Sequence, residues 1–172
     1  ENLIAESAYL NPKHRDTLEM ARLSTVRLAR IVNALLNISR IETRRLTIQP
    51  TMTDLNSFCR GIVKELKTDY QDKEQTITAS IKKIPAVPVD TVLLREVISN
   101  LLTNAIRYTP SKGKIRLTVD LTEEMIRFVI TDNGVGIPKA QQPFIFQKIV
   151  RGNKVLNFDT DGNALGMYVV KR

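Results

Sequence analysis

Glu96, Asn100 and Asn104 stand at steps of four in a run, Thr91 to Tyr108, that contains neither glycine nor proline. At 3.6 residues per turn they share one helix face. Leu94, Val97, Ile98, Leu101, Leu102 and Ala105 fall on the other face and make a core-facing stripe. A second group follows closely: the string Asp132-Asn133-Gly134-Val135-Gly136 comes after an apolar strand. A carboxylate accepts hydrogen bonds and cannot donate them, so Asp132 can read an exocyclic amine and disfavour a carbonyl. Gly134 and Gly136 permit unusual backbone angles and let a loop approach a flat ring closely. A glycine loop alone is a weak signal, because most such strings are plain turns. Beside an amide-lined helix, however, it is compatible with a site for a purine and its phosphates. Asparagines inside a helix are mildly unfavourable, which argues against a purely scaffolding role.

These groups must be held by an alternating framework. Asn11-Pro12 reads as a helix start, with asparagine as the cap and proline at the first helical position. From there to about Thr43 the chain lacks glycine and proline, and Leu18, Ala21, Leu28, Ile31, Val32, Leu35 and Ile38 recur at mixed three- and four-residue spacing. Such a helix would be about 48 Å long. Its one-sided stripe asks for a second chain or, alternatively, for packing on its own domain. Glu1 to Tyr9 reads as the tail of a preceding helix or a hairpin tip. Downstream, Leu46 to Gln49 is expected as a short strand ended by Pro50. Asp54 should cap a helix reaching about Tyr70, with Phe58, Ile62 and Leu66 inward. Thr76 to Ile81 alternates as a strand, Pro85 and Pro88 punctuate the connection, and Asp90 can cap the Asn100 helix. Lys114 to Leu121 and Met125 to Thr131 read as a hairpin. Helices layered on one face of a mixed sheet follow from this order.

Composition narrows the classes. The chain has 172 residues, 42% of them hydrophobic, sufficient for one good core and a small appendage. It has no apolar run near the ~18 residues of a membrane span and no signal-like start. The single cysteine, Cys59, cannot form an internal disulfide and reads as a packed or half-buried helix residue rather than a reactive thiol. A formal charge of +8 raises nucleic acid as a partner. The basic residues are scattered, though, and aromatics make up only 5%, so no stacking platform is legible and nucleic acid is not expected.

Glu96 to Tyr108 resembles the N box of sensor histidine kinases, and Asp132 to Gly136 resembles their G1 box. Phe144-Ile145-Phe146-Gln147-Lys148 with Arg151 is similar to the F box, and Gly162 to Gly166 to the G2 box. All stand in the family's order, and Leu28 to Glu42 is similar to the end of its dimerisation hairpin. The resemblance implies an α/β (α+β) two-layer sandwich of the histidine kinase/gyrase-type ATPase kind, preceded by a long dimerisation helix. It divides the chain into a partial helical hairpin, 1–45, and an ATP-binding catalytic domain, 46–172. The implied activity is transfer of the ATP γ-phosphoryl to a histidine and on to a response regulator. It further implies Mg2+ on Asn100, phosphate or ribose contacts from Asn104, and phosphate and base contacts from Arg107 and Tyr108. Asp132 would read adenine. Gly134, Gly136, Ile137, Phe146, Gly162, Ala164, Leu165 and Gly166 complete the nucleotide site, and Arg151 is a phosphate-facing arginine of a lid spanning Gly152 to Gly162. Glu96 stays ambiguous among a water-activating base as in gyrase-type relatives, a supporting carboxylate as in the kinases, and a solvent-facing structural residue. Implied partners are a second copy through helix 11–43 and a response-regulator receiver domain. The implied location is a cytoplasmic segment whose parent can be anchored in the bacterial inner membrane.

Three departures from the pattern stand out. The sole histidine, His14, lies just past the Asn11 cap and lacks the acceptor motif, so the chain is expected to begin after the real acceptor and not to phosphorylate itself. Ala164 replaces the middle glycine of the G2 box, and Ile149 and Val150 stand where the F box often carries aromatics. The chain stops at Arg172, before two strands that the family usually adds. The alternatives are a gyrase-like ATPase, disfavoured by the helix ahead of the domain, and a degenerate dimerising nucleotide-binding module.

Overall fold

The computed structural model describes residues 11–43, 46–123, 125–147 and 163–171. Helix α1 spans Pro12–Glu42, and the Asn11 carbonyl accepts from the amides of His14 and Arg15 at 2.8 and 3.1 Å. Strand β1 (Thr51–Thr53) leads into α2 (Leu55–Glu65) and the short α3 (Lys67–Gln71). Then come β2 (Thr76–Ile81), β3 (Val87–Val89), α4 (Thr91–Tyr108), β4 (Lys114–Leu121), β5 (Ile126–Asp132) and α5 (Asn163–Lys171), with a 3-10 turn at Gln142–Phe144. Glu1 to Tyr9 and the expected lid lie outside the described residues.

Two sheets form. β1 pairs antiparallel with β3, while β2, β4 and β5 make a mixed sheet in which β4 is central. β2 runs parallel to β4, with Ile77 opposite Ile115 and Ile81 opposite Val119. A parallel pair needs a crossover, and the chain supplies it through β3 and α4. β4 and β5 close as the expected hairpin, in which the Thr122 amide donates to the Met125 carbonyl at 2.9 Å and the Met125 amide donates to Thr122 Oγ1 at 3.1 Å.

The core lies between the mixed sheet and helices α2 and α4. Ile115, Leu117 and Val119 alternate inward from β4 against Cys59 and Ile62 of α2 and Ile98, Leu102, Ala105 and Ile106 of α4. The outward residues of the same sheet, such as Thr76, Thr78, Arg116 and Arg127, are exposed. One apolar and one polar face is the pattern of a sheet covered by helices on one side. α5 adds buried Tyr168 and Val169 and packs against both α4 and α1.

Some expectations shift. Leu46 to Gln49 is not a strand; the strand begins after Pro50 instead. The Gln49 amide is taken by Asp90 Oδ2 at 2.8 Å, and the ladder with β3 starts at Thr51 opposite Val89. Pro50 thus precedes the strand, where its missing N–H leaves no gap in the ladder. Pro88 does not merely punctuate a connection: it sits inside β3, opposite Met52. The helix begun at Asp54 does not run unbroken to Tyr70, because Leu66 leaves helical geometry at φ −84°, ψ 7°. The bend keeps both Leu66 and Tyr70 against the core.

Candidate nucleotide site

Asp90 fixes the start of α4. Its Oδ1 accepts from the amides of Val92 and Leu93, each at 3.1 Å, which satisfies two of the helix's unpaired N–H groups. With the Gln49 amide the strongest influence, these bonds hold the Asp90 carboxyl below the usual carboxylate range. From this anchor α4 carries Glu96, Asn100, Asn104 and Arg107, all half-buried, to the exposed Tyr108. Glu96, Asn104 and Arg107 each have interaction partners within the fold. The Arg107 guanidinium also lies 5.8 Å from the centre of the Tyr108 ring, a cation–π distance.

The glycine loop sits on the far end of the same helix. Asp132 closes β5, and its Oδ1 accepts from the Gly134 amide at 2.9 Å. The Val135 amide donates to the Tyr108 carbonyl at 3.2 Å. A β-carbon on Gly134 would lie 2.5 Å from that carbonyl oxygen and 2.8 Å from Asp132 Oδ1, so only glycine lets the loop settle there. Gly136 has φ +70°, the left-handed conformation that glycine adopts without strain. On the other side, Asn133 Oδ1 accepts from the Lys114 amide at 2.7 Å, which ties the loop to the start of β4. Ile137 follows, exposed, with its carbonyl accepting from Gln142 Nε2 at 3.0 Å. That bond joins the loop to the turn leading to half-buried Phe146.

α5 meets α4 at Asn100. A β-carbon on Gly166 would lie 3.0 Å from both Cγ and Oδ1 of Asn100, so the two helices approach closely at that amide. Asn100 and Tyr108 are two helical turns apart, about 12 Å. One helix therefore meets the carboxylate loop at its end and carries the Asn100–Gly166 contact about two turns further back. Ala164 and Leu165 lie in the first turn of α5, where the backbone is helical. Arg151 and Gly162 lie outside the described residues.

Several residues of this arrangement carried no signal in the sequence. Asn133 stands in the loop string with no role assigned to it from the sequence, yet its side chain fastens the loop to β4. Gln75 and Lys73 reach the end of α4 from the turn before β2.

The match to known proteins falls on this region. Residues 89–172 match the family described as histidine kinase-, DNA gyrase B-, and HSP90-like ATPase. The adaptive-response sensory kinase SasA of Synechococcus sp. (strain JA-3-3Ab) is 33% identical over 160 residues, covering 92% of this chain and 42% of the relative. The chain thus spans less than half the length of the curated relatives it matches. Among solved structures, full-length ShkA in complex with AMPPNP superposes with a TM-score of 0.75 at 22% identity, over 98% of this chain and 35% of ShkA. The histidine kinase ThkA in complex with the response regulator protein TrrA gives a TM-score of 0.62 at 23% identity, over 83% of this chain and 41% of ThkA. At such identities the superpositions speak to the fold, which is that of histidine kinases. Since a sensory kinase aligns along nearly the whole chain and the ATPase family is matched where the amide helix meets the carboxylate loop, this chain carries the ATP-binding catalytic domain of the sensor histidine kinases.

Proposed function

We propose that this chain binds Mg-ATP in a groove along α4, between the Asp132–Gly136 loop and the Asn100–Gly166 contact, and presents the γ-phosphoryl to a histidine, from which it passes to an aspartate of a response-regulator receiver domain. The observation that carries this reading is the seating of the Asp132–Gly134 turn directly on the Tyr108 carbonyl, at the end of the helix that bears Asn100. Asp132 Oδ1 shapes the loop, and the remaining carboxylate oxygen is the acceptor for the adenine amine. Tyr108, Gly136, Ile137 and Phe146 line the base side. Asn104 and Arg107 serve the ribose and phosphates, and the 162–166 segment, with Gly162, Ala164, Leu165 and Gly166, borders the phosphates.

Among the described residues no three His, Cys, Asp or Glu side chains gather into a metal cage. Asn100 offers one hard amide oxygen beside Gly166, which fits magnesium, a cation that keeps several waters and needs few protein ligands when phosphates supply the rest. Held by Asn100, the cation would supply charge neutralisation at the phosphates. The chain's own work is positioning, together with the guanidinium of Arg151 on the transferring group. Glu96 is assigned a supporting role on the same helix face. ThkA's complex with a response regulator supports a partner of that class here.

We assign residues 1–45 to a dimerisation hairpin and 46–172 to the catalytic domain, with the second copy meeting helix 11–43. Among the described residues no helix is long and apolar enough to cross a membrane. A cytoplasmic segment of a membrane-anchored parent is in keeping with this.

Calorimetric titration tests the site. Mg-ATP should bind much more tightly than Mg-GTP, and Asp132→Asn should weaken ATP by about 1–3 kcal/mol, the range for losing a charged hydrogen-bond partner. Equal affinity for the two nucleotides would refute the assignment.

A further inference from the structure

The last carbonyls of a helix have no partner within it. At the end of α4 they are met by two side chains from the turn before β2. Gln75 Nε2 donates to the carbonyls of Ile106, Thr109 and Pro110 at 3.0, 2.6 and 3.3 Å. Lys73 Nζ donates to those of Ile106 and Arg107, both at 3.0 Å. Gln75 is only 4% exposed, and its Oε1 is buried with no hydrogen-bond partner. The amide is therefore oriented by its donor end alone. The turn that delivers it adopts a strained conformation: Glu74 has φ 53° and, facing it, Lys112 has φ 64° while its amide donates to the Lys73 carbonyl at 3.0 Å. Non-glycine residues rarely hold such angles unless their surroundings enforce them.

The clamped carbonyls flank one that is not clamped. Between Arg107 and Thr109 lies the Tyr108 carbonyl, which takes the Val135 amide and against which Gly134 is wedged. Gly113, packed on Thr109, also abuts Asn133 Oδ1: a β-carbon there would lie 2.2 Å from Thr109 Cγ2 and 3.0 Å from that oxygen. Three turns are thus stacked, with the Gln75 turn at the back, the end of α4 in the middle and the carboxylate loop in front.

We propose that Gln75, assisted by Lys73, is a positioning residue of the nucleotide site. By holding the carbonyls on either side of Tyr108, it sets the direction of the one carbonyl on which the Asp132–Gly136 loop is built. This role rests on the reading that the groove takes an adenine nucleotide.

The test compares Gln75→Met and Lys73→Met with Ile62→Val, a core change on α2 away from the site. The readouts are the hydrogen-exchange rate of the Val135 amide by NMR, the dissociation constant for Mg-ADP, and Tm. Gln75→Met should speed Val135 exchange and weaken Mg-ADP by about tenfold. Lys73→Met should do both to a smaller extent, and it carries the test if Gln75→Met does not fold. Ile62→Val should lower Tm and leave Val135 and affinity unchanged. Unaltered exchange and affinity in the two clamp variants, with tight binding by the unmodified chain, would overturn the role and leave the nucleotide site standing. An unmodified chain that binds no adenine nucleotide would overturn the site and the role together.

Discussion

Gly134 shows how closely the site is fitted at the level of single residues. Its α-carbon lies where any side chain would meet the Tyr108 carbonyl and the Asp132 carboxylate, both within 2.8 Å of an added β-carbon. Backbone cannot yield as a flexible side chain can. Gly134→Ala should therefore destabilise the chain by about 1–3 kcal/mol, the usual range for overpacking, and should weaken ATP binding in the same preparation. Thermal unfolding and titration of the variant would check this; a chain of unchanged stability and affinity would show that the loop does not rest on Tyr108. Gly136 differs. Its φ of +70° is what demands glycine, because a β-carbon there would meet nothing within 4 Å. Both glycines were legible as chemistry in the sequence, but the reason for each was not, since a string of letters does not say which carbonyl lies opposite. Cys59 was legible as a packed or half-buried helix residue. It lies wholly buried in the core, and desolvation pushes its thiol up to about 11, so it is poorly disposed to react.

Elements whose signals are local were the easiest to place. Asp54 and Asp90 each precede a helix and each accepts from two of its first amides, as their position in the sequence predicts. The cap on α4 has a consequence for pH. The Asp90 carboxyl ionises at lower pH in the folded chain than in the unfolded one, so its contribution is full above the ordinary carboxylate range, near about 4. It is lost as pH falls through the lower folded value. The Asp90→Asn chain, whose amide can still cap, should show a shallower fall in stability on acidification below about pH 4, measured by denaturant titration. An acid limb identical to the unmodified chain's would discount the cap. Elements whose signals are distant were harder to read. β1 was expected before Pro50 because alternation in Leu46 to Gln49 does not reveal that the pairing partner, Val87–Val89, starts its ladder at Thr51. The Gln75 clamp was invisible for the same reason: its carbonyl partners lie 31 to 35 residues away.

At the scale of the whole molecule, α1 carries the longest row of exposed large apolar side chains among the described residues. Although it touches α5, it leaves Leu18, Leu28, Val32, Leu35 and Leu36 exposed, with Leu28 at 61%. Rows of exposed leucine on a helix this long are expected to be covered by another chain. The double variant Leu28→Asp, Leu35→Asp should sediment as a monomer, whereas the unmodified chain should sediment as a dimer. An unmodified chain that is already monomeric at high concentration would count against the proposed dimer. His14 is exposed in the first turn of this helix. The general architecture followed from the alternation of elements and the ordered boxes; how much of α1's apolar stripe its own domain leaves exposed became visible only once its neighbours were in place.

The parallel pairing of β2 with β4 governs the order in which the molecule can assemble. The β4–β5 hairpin closes over a few residues, but β2 can join β4 only after the chain has passed through β3 and α4. Contacts so far apart in sequence form slowly, because the loop entropy is lost before the contact is made. The helix that bears the proposed nucleotide site is thus the crossover that must be laid down before the sheet is complete. In a refolding experiment with pulsed hydrogen exchange, amides of the β4–β5 hairpin should become protected before those of β2, and the groove should become competent to bind nucleotide only with the later phase. Protection of β2 first would contradict that sequence of events.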